Sequence, residues 1–335
     1  MLPFIGYAQS LHNPQNDSLK IYKTSEYITV KLSLSSDVRG FISENKGLYK
    51  YDIEPNSKNV LRASFNYRWL SLSAATTAKF LPGNNDDILK GKTTSTSYSV
   101  NLSFKHFQQY IYYNRLKGFY LANTADYQPG WRLGLDAYIQ LPNLIYSGFE
   151  GRTGYKFNQN FSLAAINTQT ERQVKSAGTF MPYISYRYYS INDKTPLTTQ
   201  NSSQQSNNVE MVFSIAYLHT LVLNHTMYFS AGLEPGIGFI HTKLFTRTID
   251  EEIISRSNAP VVQLEVPLSI GFNSKRFFVG AQYNAEANSY KQGHTANVIV
   301  NNHSSYQLFI GYHFNASEKF KSIMDEADKK RSKLF

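Results

Sequence analysis

The chain has 335 residues, with 34 Lys and Arg side chains against 24 Asp and Glu, which gives a net charge of +10. Only 17% of the residues are charged, compared with about 25% in ordinary soluble domains, while 15% are aromatic. The apolar content of 41% excludes a disordered chain. The absence of cysteine also excludes a disulfide framework, a thiolate zinc site and a cysteine nucleophile.

The first residues resemble the end of a secretory signal. Residues 1–8 form a short apolar run that ends in the small residue Ala8, without the positively charged region with which a complete signal begins. We interpret residues 1–8 as a signal-peptide remnant, which predicts export from the cytoplasm. An ordinary apolar N-terminus is the alternative interpretation.

Strict alternation of apolar and polar residues runs along most of the chain. It is clearest in residues 27–35, 61–69, 97–104 and 262–272, where every second side chain is aliphatic or aromatic and those between are mostly polar. A period of two over such lengths indicates a strand with one apolar and one polar face. No helical period competes with it before the last twenty or so residues, and no apolar run reaches the roughly 20 residues of a membrane-spanning helix.

Two architectures fit such strands. A soluble secreted sandwich has strands of about five to six residues, whereas a transmembrane barrel needs about 9–11 residues, apolar towards lipid and polar towards the lumen. The apolar stripes are long and end in aromatic residues suited to a membrane interface, such as Trp69, Phe104, Phe157 and Phe314. The pattern favours an all-β fold, a single antiparallel transmembrane β-barrel in the bacterial outer membrane.

The connections alternate between short polar links and long polar stretches, as in outer-membrane hairpins. The long stretches, among them residues 44–58, 192–208 and 246–258, are predicted to be outer loops. About thirteen segments qualify as strands, and a single-chain barrel needs an even number. The surplus is expected in residues 161–190, where residues 170–178 fit a turn or a bend. We predict about 12 strands, with 10 or 14 as alternatives.

The domain organisation follows from these patterns. The signal-peptide remnant is followed by an N-terminal periplasmic segment, residues 9–26, and by the barrel, residues 27–314. Residues 315–335 change to a helical period, with Ser317 placed to cap the helix and basic residues near its end. They form a short, charged, amphipathic helical tail, which is either solvated or a docking element.

Several segments also resemble a known family. They are residues 27–32, the turn at 54–56, the hairpin at 154–158 and, most specifically, residues 171–178 before Phe180. Together they resemble a Bacteroidota outer-membrane β-barrel family known as domain of unknown function 4421. The resemblance covers about residues 27–314 and implies the barrel and its membrane, but no activity. Its most specific residues are Glu171, Arg172, Lys175, Ser176 and Gly178. This segment is interpreted as a docking site or as a bend in which Gly178 supplies backbone freedom.

The polar, inward stripes carry a thin set of charges. They predict either a charge-lined pore or binding lumen, or an interior salt-bridge network that fills a narrow barrel, and we favour the network. Charges buried in this way must be paired and hydrogen-bonded. The expected network residues are Arg62, Arg68, Glu150, Arg152, Lys156, Arg187, Glu234, Glu265 and Glu286, and Lys31 is a further inward candidate.

Signals for catalysis and for metals are weak. His303 stands two residues before Ser305, as in a possible lipid-hydrolase pair, but eight histidines among many serines produce such neighbours by chance. The acidic runs 84–87 and 250–252 lack the ordered ligand spacing of a calcium loop. We therefore predict no cofactor, no metal and no catalytic residue.

The scattered positive charge favours contact with outer-membrane lipids and lipopolysaccharide over nucleic acid. The barrel-assembly machinery is the other expected partner. The leading functional prediction is non-enzymatic: binding or passage of a small solute or lipid, or a structural role in the envelope. The alternative is an outer-membrane lipid hydrolase that uses a His/Ser pair.

Overall fold

The computed structural model describes residues 20–36, 40–45, 49–290, 297–300 and 303–331. The proposed signal-peptide remnant, residues 1–8, lies outside these ranges, as does most of the 9–26 segment. The strands are β1 (Ile21–Lys23), β2 (Tyr27–Ser35), β3 (Phe41–Asn45), β4 (Tyr49–Glu54), β5 (Val60–Tyr67), β6 (Leu70–Thr76), β7 (Thr94–Ser103), β8 (Phe107–Leu121), β9 (Gln140–Tyr155), β10 (Glu171–Gln173), β11 (Ala177–Asp193), β12 (Ser203–Asn224), β13 (Met227–Arg247), β14 (Glu252–Asn273), β15 (Phe277–Tyr290), β16 (Asn297–Val300) and β17 (His303–Asn315). The helices are α1 (Asp87–Lys90), α2 (Ala164–Asn167) and α3 (Glu318–Arg331).

Twelve of these strands close into an antiparallel barrel. Its order is β2, β5, β6, β7, β8, β9, β11, β12, β13, β14, β15 and β17, and the pairing of β17 with β2 joins the end of the barrel to its beginning. The predicted strand number is therefore confirmed, and the sandwich alternative is excluded. No helix in the described ranges is long and apolar enough to cross a membrane.

The two faces of the barrel wall follow the alternation in the sequence. In β13, Ile237 is 67% exposed on the outside, whereas Glu234 is 3% exposed and points inward. β12 behaves in the same way, with Ile215 exposed and Ser214 buried. The outer face thus carries a continuous apolar band of the kind that transmembrane barrels present to lipid.

The wall differs in height around the barrel. The short turns, β1 and α3 lie at one end, which we call the turn end, and the long connections lie at the other, the loop end. β2, β5, β6 and β7 have only 7 to 10 residues. β12, β13 and β14 have 21 or 22, about twice what a membrane crossing needs. Much of the sequence predicted as outer loops at 192–208 and 246–258 is therefore strand.

The predicted loop at residues 44–58 is also corrected, because most of it is part of the wall. β3 and β4 form a hairpin, β4 pairs with the last residues of β8, and β16 pairs with β3. They continue the wall above the ends of the short strands. We call these three strands the outer hairpin sheet. The alternation was too short and too polar in this stretch to separate these strands from a loop.

Gly118 marks the point where β4 replaces β7 beside β8. The register between β8 and β9 shifts here, and Gly118 has a φ of 87°, a left-handed conformation that favours glycine. A side chain would also collide with the backbone oxygen of Lys92. The Thr93 hydroxyl donates to the Gly118 carbonyl at 2.6 Å. This hydrogen bond holds the residue just before β7 against β8.

Residues 156–176, which connect β9 to β11, form the plug segment. It contains α2 and the short β10, which pairs with β1 in a separate two-stranded sheet. Phe161 and Gln169 have no exposed surface, so this connection is packed into the turn end of the barrel. The surplus strand expected in residues 161–190 is accounted for, because the plug segment is not part of the barrel wall. Residues 170–178 are not a single turn or bend, since 171–173 form β10 and 177–178 begin β11.

The role expected for Gly178 is wrong. Gly178 lies within β11, opposite His219, and the bend that needs a left-handed backbone is at Gln169, with a φ of 60°. A side chain at 178 would instead come within 2.6 Å of the His219 Nδ1 atom and 2.7 Å of the Tyr217 hydroxyl. Gly178 therefore allows the side chains of Tyr217 and His219 to pack closely against β11.

The C-terminal tail forms α3 and docks on the turn end. The Phe320 ring lies 4.9 Å from that of Tyr67 and 6.0 Å from that of Phe65, and Tyr67 is 1% exposed. The backbone N–H of Phe320 donates to the Ser317 hydroxyl, as expected for a helix cap. The helix prediction is confirmed, and α3 packs on the barrel itself; a role of the tail in docking a partner stays a prediction.

Candidate functional site: a chamber in the barrel lumen

The barrel lumen contains a cavity of about 460 Å³. The plug segment lies on its turn-end side, with Ile166 and Asn167 in its lining, and the short strands contribute a wall of serine hydroxyls. The charged side chains of the lining are Lys31, Arg62, Arg152, Glu234 and Glu265. We call this cavity the luminal chamber. Its volume is within the range of small-molecule binding sites.

An apolar core fills the lumen towards the loop end. It joins Phe41 and Ile53 of the outer hairpin sheet to Leu116 and Phe119 of β8, and it extends to inward residues of five other strands. The rings of Phe41 and Phe119 meet edge to face at 5.6 Å. An apolar core of this size excludes water, so the lumen is not a continuous aqueous channel.

The plug segment closes the opposite side by apolar packing. Phe161 and Ile166 pack against Met181, Leu218 and Tyr228 on inward faces of the barrel. Its backbone carbonyls are also held by wall residues. The Lys31 ammonium donates to the Asn167 carbonyl at 2.6 Å, and the Gln282 amide donates to the Ile166 carbonyl at 2.8 Å.

Below the chamber, a chain of polar side chains fixes the bend of the plug segment. The Gln169 amide donates to the Tyr228 hydroxyl at 3.1 Å, and its oxygen accepts from Asn273 at 2.9 Å. Asn273 also contacts His313 at 3.3 Å, and the other ring nitrogen of His313 contacts Thr29 at 2.8 Å. These side chains have almost no exposed surface. They hold the strained Gln169 backbone in place.

The most completely paired charges of the chamber belong to Arg152. Its guanidinium bridges Glu234 and Glu265 and lies 3.9 Å from the centre of the Tyr183 ring. Glu234 also accepts from the Ser214 hydroxyl at 2.5 Å. The structure thus brings together three of the charges predicted to form an interior network.

A second pair lies nearer the loop end. Arg187 donates to Glu210 at 2.8 Å, and Glu150 stands directly opposite Arg187 in the register of β9 and β11. Glu286 is opposite Glu265 on β15 and accepts from the Asn288 amide at 2.5 Å. Glu210 was not among the predicted network residues, although its place one residue before the outward Met211 marks it as inward-facing.

Three of the expected network residues are placed differently from the others. Arg62 lines the chamber and donates to the Ser73 hydroxyl at 3.2 Å. Arg68 lies in the turn between β5 and β6, where it pairs with Asp325 and Asp328 of α3; its inward assignment is corrected. Lys156 opens the plug segment and donates to the Phe161 carbonyl at 2.6 Å. Burial lowers the pKa of Lys156, and the nearby Glu171 partly opposes this.

The family-like residues 171–178 fasten the plug segment to its surroundings. Glu171 accepts from the Ser162 hydroxyl at 2.6 Å, and the Arg172 guanidinium lies 5.0 Å from the Tyr22 ring of β1. The Ser176 hydroxyl accepts from the backbone N–H of Val222 at 2.9 Å. Lys175 contributes its carbonyl, which accepts from Gln173 at 2.8 Å. Of the two interpretations of this segment, these contacts favour a bend within the fold.

The acidic run at residues 84–87 has contacts that organise the loop. Asn84 is 4% exposed, and its oxygen accepts from the backbone N–H groups of Lys58 and Asn59 at 2.8 and 3.0 Å. Asp86 and Asp87 pair with lysines. Within the described ranges, no three His, Asp or Glu side chains are grouped as metal ligands.

One residue of the candidate hydrolase pair, Ser305, lines the luminal chamber. The side chain of His303 lies outside the described residues. Among the histidines that are described, His313 is hydrogen-bonded to a hydroxyl, that of Thr29, but both side chains are fully buried. Neither lines the luminal chamber, so a substrate in that chamber does not reach them.

Comparison with known proteins places the chain in a family. The model of the family DUF4421, domain of unknown function, matches residues 15–314. The chain belongs to the DUF4421 family. The match confirms the family resemblance found in the sequence, whereas a source in the Bacteroidota stays a prediction. A search of curated proteins finds no match.

This DUF4421 chain is also similar to solved outer-membrane barrels. The outer membrane protease OmpT from Escherichia coli shares 9% identity with a TM-score of 0.38, covering 89% of this chain and 98% of that one. The toluene transporter TodX of P. putida shares 8% identity with a TM-score of 0.31, covering 87% and 90%. The ferric yersiniabactin uptake receptor FyuA from Yersinia pestis shares 10% with a TM-score of 0.31, covering 86% and 43%. At such low sequence identities and TM-scores, these similarities carry no information about activity.

Proposed function

We propose that the chain is a non-enzymatic outer-membrane barrel that binds a small polar solute in the luminal chamber. In this proposal lipids, including lipopolysaccharide, surround the apolar outer band, and the plug segment closes the turn end. One observation carries the proposal: a polar chamber lies between the plug segment and the apolar core. An open diffusion pore would have a continuous water-filled lumen. In a purely structural barrel, side chains would fill the space between the plug segment and the apolar core.

The proposal is tested most directly by loosening the plug segment. Gln169 joins the bend of the plug segment to Tyr228 and Asn273 on the wall. Replacing Gln169 by Ala removes these hydrogen bonds and leaves polar partners unpaired, which costs on the order of 1–3 kcal/mol. We expect the plug segment to leave the lumen more often in Gln169→Ala than in the wild type.

The measurement is single-channel conductance of the full chain in planar bilayers. The wild type should be closed for most of the recording, and Gln169→Ala should show more frequent and longer openings. Gln159→Ala is the matched control, because Gln159 is an exposed amide of the same segment. A wild type that conducts steadily would mean an open pore and would overturn the proposal. A shift in gel migration on boiling confirms that each variant is folded.

The hydrolase alternative is tested on the same preparations. Turnover of a lipid ester that disappears in Thr29→Ala or in Ser305→Ala would replace the binding proposal with an enzymatic one. The burial of Thr29 and His313 speaks against it.

A further inference from the structure

The luminal chamber has an uneven distribution of charge. Lys31 on β2 is directly opposite Ser64 on β5, and Arg62 on β5 is opposite Ser33 on β2. The two cations are therefore diagonal neighbours on the inward face of two paired strands. Arg152, Glu234 and Glu265 belong to the other strands of the lining. The short strands thus present two cations side by side.

These two cations are not neutralised by protein carboxylates. The Lys31 ammonium donates to the Asn167 carbonyl, and Arg62 donates to the Ser73 hydroxyl. In the part of the chain that the structure describes, neither side chain has a carboxylate within ion-pair distance. Lys31 is only 6% exposed, and cations so deeply buried ordinarily have an anionic partner. An ammonium has three donors and a guanidinium five, so both retain donors for a ligand.

The carboxylates of the lining are already engaged. Arg152 bridges Glu234 and Glu265, and three cations face two carboxylates in all, so the lining has a formal charge of +1. On the side of the cations, the wall includes the hydroxyls of five serines, which are Ser35, Ser64, Ser71, Ser73 and Ser99. The Ser35 hydroxyl lines the chamber and is buried without a hydrogen-bond partner. Such an orphaned group indicates a further polar occupant.

We propose that the luminal chamber binds a small oxyanion, a carboxylate or phosphate compound, between Lys31 and Arg62. The inference rests on the proposed binding function and specifies its substrate class. Guanidinium and ammonium groups are the side chains that pair best with such anions, and serine hydroxyls add donors around them. The volume of about 460 Å³ leaves room for a metabolite-sized compound beyond the anionic group itself.

Calorimetric titration of the full chain in detergent micelles tests the proposal. The probes are inorganic phosphate, acetate and uncharged glucose, all at one ionic strength. We expect phosphate, acetate or both to bind the wild type, and the stronger of the two identifies the ligand type. Arg62→Gln should weaken that binding about tenfold or more, because it removes a charge-assisted contact. Arg62→Glu should abolish it.

Arg115→Gln is the matched control. It removes the same charge from the exposed, outward side of β8 and should leave the affinity unchanged. Retained gel shift on boiling separates loss of binding from loss of folding, and Lys31→Arg, which keeps the charge, should retain binding. Equal weakening in Arg62→Gln and Arg115→Gln would overturn the proposal.

The two proposals fail in different ways. If glucose binds and neither anion does, the chamber takes a neutral solute; the oxyanion inference is then wrong and the binding function stands. If the wild type conducts steadily in bilayers, the binding function is wrong, whatever the titration gives. Absence of binding by all three probes in a closed barrel overturns the oxyanion inference alone.

Discussion

At the scale of single residues, the interior charges of this barrel form small clusters. Arg152 has two carboxylate partners, Arg187 has one, and Lys31 and Arg62 have none in the described ranges. Alternation in the sequence placed most of these side chains on the inward face. The alternation could not show which of these charges form ion pairs, because the partners come from strands far apart in the chain. It also assigned Arg68 to the lumen, because a turn at the end of a strand does not interrupt the alternation.

We expect Arg152→Gln to lower the free energy of unfolding by roughly 3 kcal/mol, since it leaves Glu234 buried without its counter-charge. Equilibrium unfolding in denaturant, followed by intrinsic fluorescence, measures the change. Arg247→Gln is the control, because the pair of Arg247 with Glu252 is more exposed; its cost should be below about 1 kcal/mol. Similar losses in the two variants would contradict the buried network.

At the scale of elements, two connections do more than join strands. The plug segment fills the turn end of the lumen, and the outer hairpin sheet supplies wall. The odd number of candidate strands indicated that one segment within residues 161–190 is not part of the barrel wall. It did not indicate that the segment folds inward, since inward packing is decided by long-range contacts such as those of Phe161 with Met181 and Leu218.

The docking of α3 is testable by limited proteolysis of the folded protein. Phe320 packs on Tyr67, whereas Ile323 on the same helix is 55% exposed. Phe320→Ala should release the helix and speed cleavage of the tail, because it removes the ring that covers Tyr67 and costs about 3 kcal/mol of packing. Ile323→Ala should leave the cleavage rate as in the wild type. If neither variant changes the rate, α3 is held by its ion pairs instead.

At the scale of the whole molecule, the period-two pattern predicted an antiparallel barrel, and the requirement for an even number of strands reduced the thirteen candidate segments to twelve. The pattern was informative because every strand of a closed barrel alternates between outward apolar and inward polar side chains. The height of the wall was less predictable. Where β12 and β13 leave the apolar band, polar residues on both faces resemble a loop, and only pairing between neighbouring strands distinguishes the two.

The proposed membrane position predicts unequal costs for the two faces of one strand. Leu264 is 42% exposed on the outside of β14, and the adjacent Gln263 points inward, where its amide contacts Glu265. In lipid vesicles, Leu264→Arg should cost about 2–4 kcal/mol, because it places a charge in the hydrocarbon. Gln263→Arg should cost much less, since Glu265 stands beside it. Equal unfolding free energies for the two variants would mean that β14 is not embedded as proposed.

The outer hairpin sheet has a practical consequence for labelling the protein. In most barrels the longest connections are the natural sites for epitope tags, because insertions there disturb no packed element. Here the connection between β2 and β5 contributes Phe41 and Ile53 to the apolar core, so a tag inserted into β3 or β4 would breach the wall. Residues 194–200, at the tip between β11 and β12, are exposed throughout. That tip is the place where the chain accepts an added sequence without losing its shape.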